Sequence, residues 1–180
     1  MATLQERIAN ERRRLRSVRQ NMLTAIEQKS TPNKAYVAFY IATANYIDAT
    51  MQRVHDQDVK MDSMIREKVG TMDTRVEKAL GELDDRLEGA RSHLAPFLAA
   101  RDALLSKGRD ALENFEKAGK IYSDFVVANM GHHPPTADLG AKLFSAEDWE
   151  YMAGATVEQI EKEAALFKCV QDAIPNDLKK

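Results

Sequence analysis

Four side chains of the kinds that bind transition metals are predicted to lie near one level of the helices: His55, Asp58, His132 and His133. His55 and Asp58 fall on or beside the inward-facing stripe of the second predicted helix, and the histidine pair directly follows the fourth. Imidazole nitrogens suit zinc, copper, iron and nickel. The spacing therefore indicates a candidate site for a single transition ion, iron included, near one end of the helices.

A structural interpretation of the same residues stays open beside the metal site. Charged groups at the end of a bundle can be solvent-exposed and form ion pairs with each other. This avoids the free-energy cost of a buried charge without a partner. His132 and His133 precede Pro134 and Pro135, which is typical of a stiff loop. A carboxylate-bridged two-metal bundle uses Glu-x-x-His pairs, and none occurs in the sequence. Under this interpretation the chain has no cofactor.

The elements that must position these residues are helices. Apolar residues recur with the helical period, and no stretch alternates as a half-buried strand does. The pattern predicts helices over residues 4–28, 33–69, 73–107 and 109–130, a non-helical connection over 131–144, and a last helix that starts after Ser145 and ends before Pro175. Ser145 and Asp148 resemble a capping box at its start.

Long amphipathic helices joined by short loops predict an all-α fold. We expect an antiparallel up-down four-helix bundle with an additional C-terminal helix. The length of 180 residues fits one domain, covering residues 1–180. No acid-base or nucleophile pair stands out, so a non-catalytic role is favoured over an enzyme.

Composition excludes several classes of partner. The net charge of −2 gives no field that favours nucleic acid or an anionic membrane. The sequence contains no apolar run of membrane-spanning length and no signal-peptide pattern at its start. The single cysteine, Cys169, excludes an internal disulfide framework, fits a reducing compartment and is expected to be buried. These features predict a cytoplasmic protein.

The second helix carries an aromatic stripe whose role the sequence leaves open. It consists of Tyr36, Phe39, Tyr40 and Tyr46, with methionines further along the same helix. Methionine serves both irregular cores and adaptable interfaces. The stripe can therefore form core, or it can be the interface of a homodimer that acts as a structural or signalling bundle.

The segment from Tyr122 to Trp149 resembles the last part of hemerythrin-like (HHE-type) domains. Asn129-Met130 falls on the family's His-Met pair, His133-Pro134 on its Glu pair, residues 138–141 on its apolar stretch, and Glu147-Asp148-Trp149 on its final motif. Upstream, His55 falls on the His-His of the second helix, and Arg12 falls on the histidine of the first.

This resemblance implies a bundle that holds a non-haem di-iron centre through histidines and carboxylates. The chain departs from that ligand set, because His55 is its one clear match and His133 replaces a carboxylate. The other expected ligand places hold residues of other types: Arg12, Val59, Arg86, Ala90 and Asn129. The resemblance therefore implies a hemerythrin-like frame whose di-iron site is degenerate, and oxygen binding does not carry over.

Overall fold

A computed structural model describes residues 4–28, 34–129 and 134–178 of the chain. These residues form α-helices and two short 3-10 helices, without any strand in the described ranges. The α-helices are α1 Leu4–Glu27, α2 Lys34–Lys68, α3 Thr74–Lys107, α4 Leu112–Asn129, α5 Pro134–Leu143, α6 Ala146–Ala153 and α7 Val157–Ala173. The 3-10 helices are Gly108–Ala111, before α4, and Asn176–Leu178, after α7. The predicted all-α class is confirmed.

Helix α2 packs against α1, α3 and α7. Its pairing with α3 is antiparallel, since Arg66 meets Asp84 near the connecting turn and Asp48 meets Arg101 far from it. The turn suits the start of α3, because the Asp73 side chain accepts hydrogen bonds from the backbone N–H groups of the two residues Arg75 and Val76. Helix α4 packs on α3 and α1. The site region of α2 is thus enclosed by neighbours on several sides.

The larger of two apolar cores is built around the aromatic stripe of α2. Tyr36, Phe39, Tyr40 and Tyr46 are almost completely buried there. Tyr40 lies 4.9 Å from Phe115 of α4 between ring centroids. The stripe is therefore core of this chain, and its side chains are not displayed on the surface where a second copy would have to meet them.

A smaller core lies beyond the larger one, between the end of α2, the start of α3, and the helices α5 and α6. Met64, Ile65 and Leu80 are buried there against Phe144 and Met152. Phe144 meets Trp149 edge to face at 5.3 Å between ring centroids. Two cores along one helix pair leave a stretch of α2 and α3 between them, and that stretch carries the candidate site.

The prediction of a non-helical connection over 131–144 is wrong where the structure describes it. Residues Pro134–Leu143 form α5. Proline is a helix breaker only in the interior, since at the first helical positions its missing N–H has no partner to lose. Pro134 therefore starts a helix, and α5 covers the end of the α2–α3 pair.

The single last helix predicted after Ser145 is divided in two. The capping box of Ser145 and Asp148 is confirmed at the start of α6. A second capping box, of Thr156 and Gln159, starts α7, and the sequence analysis missed it. The break moves Ile160 to an exposed position instead of the predicted stripe.

The prediction of a buried cysteine is also wrong, since Cys169 is exposed. Helix α7 turns Glu163, Leu166, Phe167 and Val170 towards the rest of the chain, and residue 169 lies off that face. None of the described helices is long and apolar enough to cross a membrane.

Candidate functional site

A cleft of about 230 Å³ opens between α2 and α3. Its walls are mostly apolar and come from Met51 and Val54 on one helix and Leu87, Ala90 and Leu94 on the other. Its polar groups come from both helices: Gln52, His55, Asp58, Arg86 and Arg91. The cleft therefore combines apolar walls with a cluster of ionisable groups, which is the usual composition of a small-molecule site.

His55 is held by an arginine of the facing helix. Its Nε2 lies 2.8 Å from Nη2 of Arg91. A guanidinium can only donate hydrogen bonds, so Nε2 must be the unprotonated, accepting nitrogen. The nitrogen lone pair that a metal would use at Nε2 is engaged with Arg91.

Asp58 and Arg86 form the second polar pair of the cleft, and this pair is loose. Their Oδ2 and Nη2 atoms are 3.7 Å apart, beyond ordinary hydrogen-bond length, although only 20% of the Asp58 side chain and 9% of the Arg86 side chain are exposed. Burial raises the pKa of the Asp58 carboxyl, and the opposing charges of Arg86 and Arg12 do not fully offset it. Burial also lowers the pKa of Arg86.

Arg12 of α1 adds a third guanidinium to this region. It is exposed at the surface, and its charge lowers the pKa of both Asp58 and Arg86. Arginine charges from two helices, α1 and α3, therefore act on one carboxylate of α2. Arg86 and Arg91 outnumber the single carboxylate of Asp58 at the cleft, and Arg12 adds a further positive charge to the region.

The structure brings together two of the four predicted metal-site residues, His55 and Asp58. The other two, His132 and His133, lie outside the described residues. Within the described ranges, no three histidine, cysteine, aspartate or glutamate side chains are close enough to hold one metal ion. The metal site of His55, Asp58, His132 and His133 stays a prediction.

The predicted level of the site differs from the observed one. His55 and Asp58 were expected at an end of the bundle, but they lie between the two apolar cores. The larger core reaches Val54 and Leu94, and the smaller one begins at Met61. The reason is that α5 and α6 extend the packed structure past the level that the sequence pattern marked as the rim.

Other polar residues on the predicted seams lie elsewhere. Glu11 pairs with Arg53, and Arg101 pairs with Asp48. Asn129 is exposed, and its side-chain amide donates to the Phe125 carbonyl oxygen. These residues do not line the cleft.

Arg91 is the residue of the cleft that the sequence analysis missed. The residue numbers of the two helices indicate which residues face each other. In an antiparallel pair, residues equally far from the turn face each other, and both 55/91 and 58/86 are centred on the turn that joins α2 to α3. Applying this rule to His55 points to the stretch of residues 87–91, which ends at Arg91.

Comparisons with known proteins add no family to this description. No protein-family model, curated protein or solved structure matches the chain significantly. The chemistry of the site therefore rests on its own geometry. Guanidinium groups beside apolar walls recognise anions, since arginine offers a planar fork of donors that matches carboxylate and phosphate.

Proposed function

We propose that this chain is a non-catalytic binding protein that uses the cleft between α2 and α3. We further propose that its architecture is a hemerythrin-like antiparallel up-down four-helix bundle, formed by α1 to α4, with α7 as the additional C-terminal helix. In this proposal the place of the di-iron centre is taken by a cleft with arginines around it.

The convergence of particular positions supports the hemerythrin-like part of the proposal. Among the ligand places that the resemblance assigns, Val59 and Asn129 do not line the cleft. The others among the described residues are Arg12, His55, Arg86 and Ala90. His55, Arg86 and Ala90 line one cleft, and the charge of Arg12 acts on the carboxylate within it. Positions that are distant in sequence thus meet where a hemerythrin-like layout would bring metal ligands together. The residue types at these positions favour an anion over a cation.

The single observation that carries the binding role is the contact between His55 and Arg91. It engages the one histidine nitrogen aimed at the neighbouring helix and brings a fixed positive charge to 2.8 Å from it. A metal cation at that nitrogen would have to displace the guanidinium and then remain beside Arg86 and Arg91. Electrostatic repulsion opposes that arrangement, whereas an anion would be attracted to it.

Metal analysis of the purified chain tests this proposal. The protein is produced without a histidine tag in medium supplemented with iron, zinc, copper and nickel, and its metal content is measured by mass spectrometry. We expect less than about 0.1 metal per chain, because a competent site of three or four ligands would stay occupied. One bound metal per chain would overturn the proposal and favour the alternative site of His55, Asp58, His132 and His133.

A paired variant makes the test sharper. His55 would be a ligand both in a hemerythrin-like di-iron centre and in the alternative single-ion site. His55→Ala would therefore abolish metal binding at either site. His93→Ala is the matched control, since His93 lies on α3, stacks on Phe125 with 4.1 Å between ring centroids, and does not line the cleft. We expect the wild-type protein and both variants to have the same low metal content.

A further inference from the structure

We propose that the cleft between α2 and α3 binds a small monoanion with an apolar tail, of the size and chemistry of a medium-chain carboxylate such as hexanoate. This inference deepens the proposed function, on which it rests. It specifies which class of ligand the binding protein takes and which side chains recognise each half of that ligand.

The charged half of the ligand is specified by the arginines. Arg91 is exposed, and its contact with His55 uses one of its five N–H donors. Among the residues that the structure describes, no carboxylate forms an ion pair with Arg91. Arg86 is largely buried beside a carboxylate that lies 3.7 Å away. A ligand carboxylate at Arg91 would supply the anionic acceptor that Arg91 lacks among the described residues, and the positive charge of Arg86 on the same wall of the cleft would attract it further.

The apolar half of the ligand is specified by the walls. Met51, Val54, Leu87, Ala90 and Leu94 leave an apolar surface beside the arginines. Methionine adapts to ligand shape, and burying an alkyl chain against such a surface is favourable. A sugar phosphate or a free phosphate would leave these walls without a partner. The ligand should therefore be amphipathic, with a single charged end.

The size of the ligand follows from the cleft volume. About 230 Å³ is available, and a water-sized group occupies roughly 30 Å³. The cleft therefore holds about eight non-hydrogen atoms, which is the number in hexanoate. Ligands this small bind weakly even in good sites, so we expect a dissociation constant of about 1 mM.

Binding of hexanoate is tested on the full chain by isothermal titration calorimetry or ligand-detected NMR. Hexan-1-ol, hexylammonium and inorganic phosphate are the comparison probes, because they remove the charge, reverse it, or remove the tail. We expect hexanoate to bind at least about tenfold more tightly than each of them. Equal affinity for hexanoate and hexan-1-ol would overturn the role of the arginines. Equal affinity for hexanoate and phosphate would overturn the role of the walls.

Two variants assign the binding to the cleft. Arg91→Gln should weaken hexanoate binding about tenfold, since a charge-assisted contact is lost. Arg75→Gln is its matched control, because Arg75 is an exposed arginine near the start of the same helix and does not line the cleft. Ala90→Leu should abolish binding by filling the cleft without changing its charge. Unchanged binding in Arg91→Gln would overturn the proposal even if Ala90→Leu failed to fold.

The failure of this inference is distinguishable from failure of the proposed function. If the chain contains no metal and does not bind hexanoate, the proposed class of ligand is wrong, whereas the proposal of a degenerate metal site is unaffected. A chain that carries one metal per molecule would contradict the proposed function itself, whatever its behaviour towards hexanoate.

Discussion

Helix α2 takes part in two buried arginine sites that differ in how completely the arginine is paired. Arg53 of α2 forms two hydrogen bonds with Glu163 of α7, at 2.6 and 2.9 Å, and a third with Glu11 of α1 at 3.0 Å. Arg86 of α3 faces Asp58 of α2 at 3.7 Å. We call these the Arg53 clamp and the Arg86 cleft.

The pKa values of the two arginines move in opposite directions. Burial alone would lower the pKa of both. In the Arg53 clamp, the hydrogen bonds and charges of Glu163 and Glu11 more than offset burial and raise the pKa of Arg53. In the Arg86 cleft, burial prevails over the charge of Asp58 and lowers the pKa of Arg86.

The pairing geometry distinguishes an arginine that stabilises the fold from an arginine that is positioned for a ligand. A bidentate pair with one carboxylate and a hydrogen bond to a second one satisfy the geometry of the guanidinium and join three helices. A guanidinium that lines an accessible cleft attracts a further anion electrostatically. The first arrangement is expected to matter for stability, and the second for binding.

Breaking the Arg53 clamp should produce the largest change in stability. Glu163→Gln leaves a buried guanidinium without its main counter-charge, which should lower the free energy of unfolding by about 3 kcal/mol. Urea denaturation measures the change. Glu161→Gln is the control, since Glu161 is exposed on the same helix, and it should change stability by less than about 0.5 kcal/mol. Identical midpoints for the two variants would mean that the clamp is not structural.

Removing the carboxylate of the Arg86 cleft should have a smaller and opposite effect. The pKa of Asp58 is raised in the folded protein, so the folded state binds its proton more tightly than the unfolded state. The resulting stability is present at low pH and is lost as pH rises through the folded pKa. Asp58→Asn should therefore raise the free energy of unfolding at pH 7, by less than Glu163→Gln lowers it, and should change it less at pH 3.5.

The charged or titratable groups that act on Asp58 are Arg12 from α1, His55 from α2 and Arg86 from α3. Urea denaturation of wild type and variant at both pH values isolates the contribution of Asp58 from theirs. Asp56→Asn, an exposed change on the same helix, is the control. A loss of stability at pH 7 in Asp58→Asn would show that the pair with Arg86 is a structural ion pair like the clamp.

Arg91→Gln should have the smallest effect on stability. Its side chain is exposed, and exposed polar contacts contribute little to folding. We expect a change below about 0.5 kcal/mol in urea denaturation, in a variant whose hexanoate affinity falls about tenfold. A destabilisation comparable to that of Glu163→Gln would remove the distinction between the two sites.

The sequence predicted the helices well where their signals are periodic and local. The long helices follow from apolar stripes, and the predicted start of the third helix at residue 73 agrees with the N-cap that Asp73 forms. It failed at Pro134, where proline can break a helix or begin one, and at Thr156, where the capping box was overlooked. Both errors concern the segment after α4. Its helices α5 and α6 have only 10 and 8 residues, so their periodic pattern is weak.

The site was predictable only in part for a related reason. His55 and Asp58 stood out because they are polar residues on or beside an apolar stripe. Arg91 did not stand out, since an arginine on an exposed helix face is common. Its role depends on the register between α2 and α3, and register is a tertiary property. The level of the site was misjudged because it depends on where α5 and α6 pack.

Binding of the anion at Arg86 and Arg91, and not at Arg53, can be followed at the arginine side chains themselves. The Nε–Hε signals of Arg53, Arg86 and Arg91 are assigned by NMR and followed as hexanoate is added to the full chain. We predict saturable shifts for Arg86 and Arg91 and none for Arg53, whose Nε donates to Glu163 at 2.6 Å. Unchanged signals of Arg86 and Arg91, or equal shifts for all three arginines, would contradict the account.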